Sequence, residues 1–180
     1  MPTLIVEDGT CPENANVYAS LEQADAYCVQ RGLWPESQGD QALITSKQAA
    51  LIRAADWLNG MDWKGAPVDM MRVMAWPRDG VKLSPNFTVQ DNVIPPAVVI
   101  ANVEAAALFY GGEDPFAPME HGGAVAAYSE SVGPLSESKT YKATAPAETA
   151  YRAVTARLRM YLNRIEGEAS GPRIITVGKG

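Results

Sequence analysis

The stretch from Pro95 to Tyr110, PPAVVIANVEAAALFY, constrains the fold more than any other part of the chain. Its two prolines suit the first turn of a helix, where their missing N–H groups would be unpaired anyway. Gly111-Gly112 supplies a stop at the far end. Between these signals only Asn102 and Glu104 are polar. A helix that is apolar nearly all round has to be covered on more than one side. The rest of the chain must wrap it, and a neighbouring subunit is expected to cover one face, with Val98, Val99, Val103 and Leu108 as the interface positions. The segment is too short and too polar to cross a bilayer.

The remainder can supply such a wrapping. With 180 residues, 47% of them hydrophobic, the chain suits one domain with a real core, and 20% charged residues exclude wholesale disorder. A first helix is marked by Ser20 with Gln23 three residues on, a capping box, and Gly32 offers its stop. Leu21, Ala24, Tyr27 and Cys28 then share a helical stripe, which reads Cys28 as a small core residue. A second helix is expected from Thr45 or Ser46 to Asn59-Gly60, with Ile44, Leu51, Ala55 and Leu58 as its apolar face. Residues 61–93, broken by Pro67, Pro77 and Pro85, read as loops around one short helical piece at Met70–Ala75. Val125–Ser131 and Leu135–Tyr141 flank Val132-Gly133-Pro134 and predict a projecting β-hairpin. A last helix is expected from Pro146 to about Ile165, with Tyr151, Val154, Leu158, Leu162 and Ile165 on one face.

The fold class is therefore mainly α: a bundle of about four helices, a small projecting β-hairpin at about 125–141, and an extended C-terminal arm. Residues 1–166 form the helical domain and 167–180 the arm. In that arm Gly171-Pro172 leaves the helix, and Arg173, Ile174, Ile175, Thr176 and Val177 form a basic, β-branched strand too short to stand alone. It is expected to dock on a partner or on a neighbouring copy.

Residues with chemistry are sparse. The one histidine, His121, sits beside Glu120 in a Pro/Gly-rich loop, with no nearby Ser or Cys nucleophile and no second histidine. Cys11 and Cys28 are too few for a disulfide scaffold or a cysteine-only zinc site. No glycine cluster has the setting of a phosphate loop. The expectation is a chain with no catalytic residues, no metal and no cofactor. Nothing in MPTLIVEDGT resembles a secretion signal, so the expected compartment is the cytoplasm with reduced thiols. Two tryptophan–cation pairs, Trp63-Lys64 and Trp76-Pro77-Arg78, could stack bases and hold phosphates of single-stranded DNA. The competing reading is one structural cluster of Trp57, Trp63 and Trp76, with Arg78 in an internal ion pair.

Charge is unevenly placed. The net charge is -6, but residues 1–141 carry -10 and residues 142–180 carry +4. An acidic body argues against a protein that coats nucleic acid by neutralising phosphates.

Particular strings add a resemblance. Leu4-Ile5-Val6-Glu7-Asp8-Gly9, Asn16-Val17-Tyr18-Ala19-Ser20-Leu21, Ala24-Asp25-Ala26-Tyr27, Ala50–Leu58, Trp63-Lys64-Gly65, Met74-Ala75-Trp76-Pro77-Arg78-Asp79-Gly80-Val81, Ile94-Pro95 and Val132-Gly133-Pro134 resemble a tailed-phage family. Its members are catalogued as DnaT-like single-stranded-DNA-binding proteins, and their layout is similar to helical head-completion proteins. The resemblance implies a structural head-to-tail adaptor, or connector, of the virion. Such an adaptor forms a homo-oligomeric ring, a dodecamer, under the portal protein. The ring continues the DNA channel without sequence-specific binding and meets a downstream neck or tail protein. It implies no enzyme, no cofactor and no membrane, and a location in the virion after assembly in the host cytoplasm. The alternative is a single-stranded-DNA-binding replication accessory that uses Trp63, Lys64, Trp76 and Arg78.

Overall fold

The computed structural model describes residues 2–114, 116, 125–131, 136–141 and 152–163. Among them the protein is mainly α, with four helices and three two-stranded antiparallel sheets. Helix α1 spans Leu21–Gln30. Its capping box is complete: the Gln23 N–H donates to Ser20 Oγ at 3.1 Å and the Ser20 N–H to Gln23 Oε1 at 3.0 Å. At the other end the Leu33 N–H reaches Cys28 O and the Gly32 N–H reaches Val29 O, with Gly32 at φ +64°. This pair of bonds closes a helix with a left-handed residue that only glycine adopts freely.

Helix α2 spans Gln41–Asn59, starting a turn earlier than Thr45 or Ser46. Asp40 is the cap, accepting from the N–H groups of Ala42 and Leu43. The hydroxyls of Thr45 and Ser46 instead bond back to the carbonyls of Gln41 and Ala42. A hydroxyl satisfied by the preceding turn does not need a helix end.

The segment expected to hold a helix at Met70–Ala75 is not helical. Strand β1 (Ala66–Pro67) pairs with β2 (Arg78–Asp79), and β3 (Lys82–Ser84) pairs with β4 (Phe87–Thr88). The Asp69 carboxylate captures the Met71 N–H at 2.9 Å and the Arg72 Nε at 3.1 Å, which makes the start of this segment a turn.

Helix α3 spans Pro96–Tyr110, opened by Pro95 and closed at Gly111 as read from the sequence. The hairpin lies where expected, β5 (Val125–Ser131) against β6 (Ser136–Tyr141), with Tyr128 opposite Lys139. Among the described residues helix α4 spans Arg152–Leu158, and the expected start at Pro146 lies outside them. After it the chain turns, and Leu162 forms a bridge with Trp63 while the Lys64 N–H bonds Tyr161 O. Leu162, past the end of this helix, still packs against the core. Tyr151 and Ile165 lie outside the described residues, as does the arm.

Helix α3 is the centre of the core. It packs chiefly against α2, and also against α4 and α1. Val98 and Val103 are 0% and 3% exposed, so this chain's own core encloses them; Val99 and Leu108 are half-buried and pack on the same core. The face assigned to a neighbouring subunit is largely filled from within. Its two polar residues explain how. Asn102, 0% exposed, accepts the Tyr18 N–H and donates to Leu51 O, each at 3.0 Å. Glu104 receives the Tyr27 hydroxyl at 2.6 Å and Arg157 Nη2 at 2.7 Å. Each polar group on the helix ties two other parts of the chain to it.

A second buried tie joins α1 to α2. Lys47 is fully buried, and its Nζ donates to Asp25 Oδ1 (2.8 Å), Ser37 Oγ (2.7 Å) and Pro35 O (2.5 Å). Three donors meet three acceptors, so the ammonium is satisfied inside the protein.

Candidate contact surface

The aromatic and basic residues proposed to hold DNA come together, but as a structural hub. Trp63 and Trp76 are 3% and 1% exposed. Their rings meet edge to face at 5.7 Å, and Trp76 meets Tyr161 in the same way at 5.9 Å. Trp63 Nε1 donates to Leu58 O at 2.8 Å. Trp57 is half-buried against the same core. In this arrangement Trp63 and Trp76 present no open ring face on which a base could stack.

Arg78 is also interior, at 8% exposed. Its guanidinium bonds the carbonyls of Lys64 (2.8 Å), Ala75 (3.1 Å), Gly65 (2.7 Å) and Trp63 (3.4 Å). The expected ion pair is thus a four-carbonyl clip that fixes residues 63–65 against 75–78. Burial lowers the guanidinium's affinity for its proton. Gly65, at φ +71°, allows this approach: a Cβ there would lie 2.1 Å from Asp79 O. Lys64 is half-buried and holds the turn after α4 by donating to Met160 O at 2.9 Å.

Open apolar surface lies in the segment between β1 and β2. Val68, Met70, Met71 and Val73 are 47%, 79%, 92% and 78% exposed. Four large apolar side chains within six residues make a patch of the kind that marks a protein contact. The sequence carried this signal as the pair Met70-Met71 between valines. Reading the segment as a helix concealed it, because a helix would have buried part of it.

Beside the patch is a cleft of about 470 Å³ lined by Glu7, Pro12–Ala15, Asp69 and Met71–Met74. Glu7 is 1% exposed. The loop that follows it folds back so that the N–H groups of Gly9 and Cys11 donate to Oε1 at 2.9 and 3.1 Å. Gly9 is required there: at φ +101°, a Cβ would sit 2.0 Å from Asn92 O. Glu7 Oε2 is buried without a hydrogen-bond partner. Burial and the Glu7 charge raise the pKa of the Cys11 thiol, while the Met71 N–H and Arg72 lower that of Asp69. No spacing rule in the sequence pointed to Glu7.

Among the described residues no cluster of His, Cys, Asp and Glu could hold a metal ion, and no helix is long and apolar enough to cross a membrane. His121, Glu120 and the residues Arg173, Ile174, Ile175, Thr176 and Val177 lie outside the described residues.

A protein-family model matches residues 2–177, nearly the whole chain; the family is described as "Putative DnaT-like ssDNA binding protein". The chain belongs to this family. No curated protein and no solved structure matches it. For this DnaT-like chain, the family description points toward DNA, while the residues best suited to stack on DNA lie in the core.

Proposed function

We propose that this protein is a nonenzymatic protein that works against DNA, and that its part is structural. In this reading it is a head-to-tail adaptor of a tailed phage, assembling as a ring under the portal and joining the head to a neck or tail protein. The observation that supports the structural part is the set of exposed apolar side chains Val68, Met70, Met71 and Val73 next to an aromatic hub that is closed. Such a surface suits protein partners more than phosphates. The charge of -10 over residues 1–141 suits a channel wall, since like charge keeps passing DNA from sticking. Head-to-tail contacts between copies would close the ring.

A second reading is favoured by the family description: a single-stranded-DNA-binding replication accessory. It would use Lys64 and Arg78 with Trp63 and Trp76, and requires the hub to open. Gel-shift with a single-stranded oligonucleotide at moderate salt, alongside analytical ultracentrifugation and purification with phage heads, separates the two. The adaptor reading expects ring-sized assemblies that travel with heads and no shift of the oligonucleotide. A tight, salt-sensitive shift by a protein absent from heads would replace it with the second reading.

A further inference from the structure

The cleft at Glu7 has the properties of a receptor for a cation. A carboxylate oxygen buried without a donor is costly, because it has lost water and gained no hydrogen bond in return. Its sister oxygen is fully engaged with two backbone N–H groups, so the carboxylate is held rigidly in place. Among the described residues the one cation in the cleft wall is already committed: Arg72 bonds Asp69 Oδ2 at 3.1 Å and Pro12 O at 2.8 Å. Glu7 and the exposed Glu13 are left to set the sign of the cleft, which is negative. The rim adds apolar surface from Met71 and Val73.

We propose that this cleft binds residues 171–180 of this chain, with the Arg173 guanidinium set against the Glu7 carboxylate. The segment GPRIITVGKG carries Arg173 and Lys179 and no acidic residue. In an extended strand Arg173, Ile175 and Val177 face one way. That face matches one carboxylate beside an apolar rim. A planar guanidinium suits a carboxylate better than an ammonium does. The cleft's volume exceeds that of one side chain and accommodates a short run of strand. Residues 164–172 span roughly 30 Å when extended. This docking involves neither DNA nor heads and is independent of both functional readings.

Cys11, half-exposed and next to the cleft, is a built-in reporter, and Cys28, 0% exposed, is its internal control. The full-length chain carrying Ile174→Cys, and separately Ile175→Cys, is treated with diamide at mildly alkaline pH, and disulfides are mapped by peptide mass spectrometry. The expected product joins Cys11 to the new cysteine, within one chain or between two, with Cys28 free. Adding Arg173→Glu should lower the yield about tenfold, as loss of a charge-assisted bond implies. Adding Glu7→Gln should do likewise, because it removes the charge but keeps an oxygen for the Gly9 and Cys11 N–H groups. Circular dichroism melting of the same variants verifies that each is folded. No link to Cys11 in either cysteine variant, or a yield unchanged by Arg173→Glu in the folded protein, would overturn the proposal.

Discussion

The backbone N–H of Tyr18 donates to Asn102 Oδ1 at 3.0 Å, across 84 positions of sequence, inside a core where both residues are essentially inaccessible. Asn102 also donates to Leu51 O, so one amide joins the N-terminal segment, α2 and α3. Replacing it by Leu would strand the buried Tyr18 N–H and remove the tie to Leu51 O, which keeps its own bond within α2. Asn102→Leu should cost about 3 kcal/mol, read as a lower urea midpoint at unchanged slope.

The buried ammonium of Lys47 leads to a similar expectation. Lys47→Met removes the charge facing Asp25 and leaves Ser37 Oγ and Pro35 O short of a donor. A loss of about 3 kcal/mol is expected in denaturant unfolding.

Trp76 tests whether the aromatic hub is structural. Trp76→Ala should cost about 3–5 kcal/mol, because it empties a site enclosed by Trp63 and Tyr161. A variant with intact stability and lost oligonucleotide binding would support the replication reading.

Met71 tests the open patch. At 92% exposed it contributes little to folding, so Met71→Ser should shift stability by no more than about 0.5 kcal/mol. On the adaptor reading proposed above, the same change should weaken self-assembly or head attachment, measured by ultracentrifugation and copurification.

Alkaline pH tests the core from another side. Burial pushes the Cys28 thiol up to about 12 and raises the Tyr18 phenol above its usual range. Both groups are neutral when folded and ionise more easily when unfolded. Their contribution to stability is complete below the unfolded thiol's value and is lost as pH rises toward the folded one. Thermal stability should therefore decline from about pH 9 upward, and Cys28→Ala should flatten the early part of that decline.

Much of the local structure is legible in the sequence. Ser20 with Gln23, Gly32, and Pro95-Pro96 with Gly111 each act on backbone groups within a few residues, so their spacing alone marks where α1 and α3 begin and end. The β5–β6 hairpin was legible for the same reason. The start of α2 was misplaced because Asp40, Thr45 and Ser46 are all competent caps, and only the folded chain shows which hydroxyls turn back on the preceding helical turn. Residues 61–93 were illegible because their strands are very short, and Arg78 holds the segment by carbonyls more than a dozen residues away. The same distance hid the roles of Asn102, Glu104 and Lys47, whose partners lie on other elements. Local hydrogen bonding determines where these helices begin, and the sequence holds it in short spacings. Which polar residue is buried, which tryptophan is covered and which carboxylate is left without a donor depend on what the tertiary fold sets against them. For Glu7, Trp76 and the Val68–Val73 loop, that was decided only by packing.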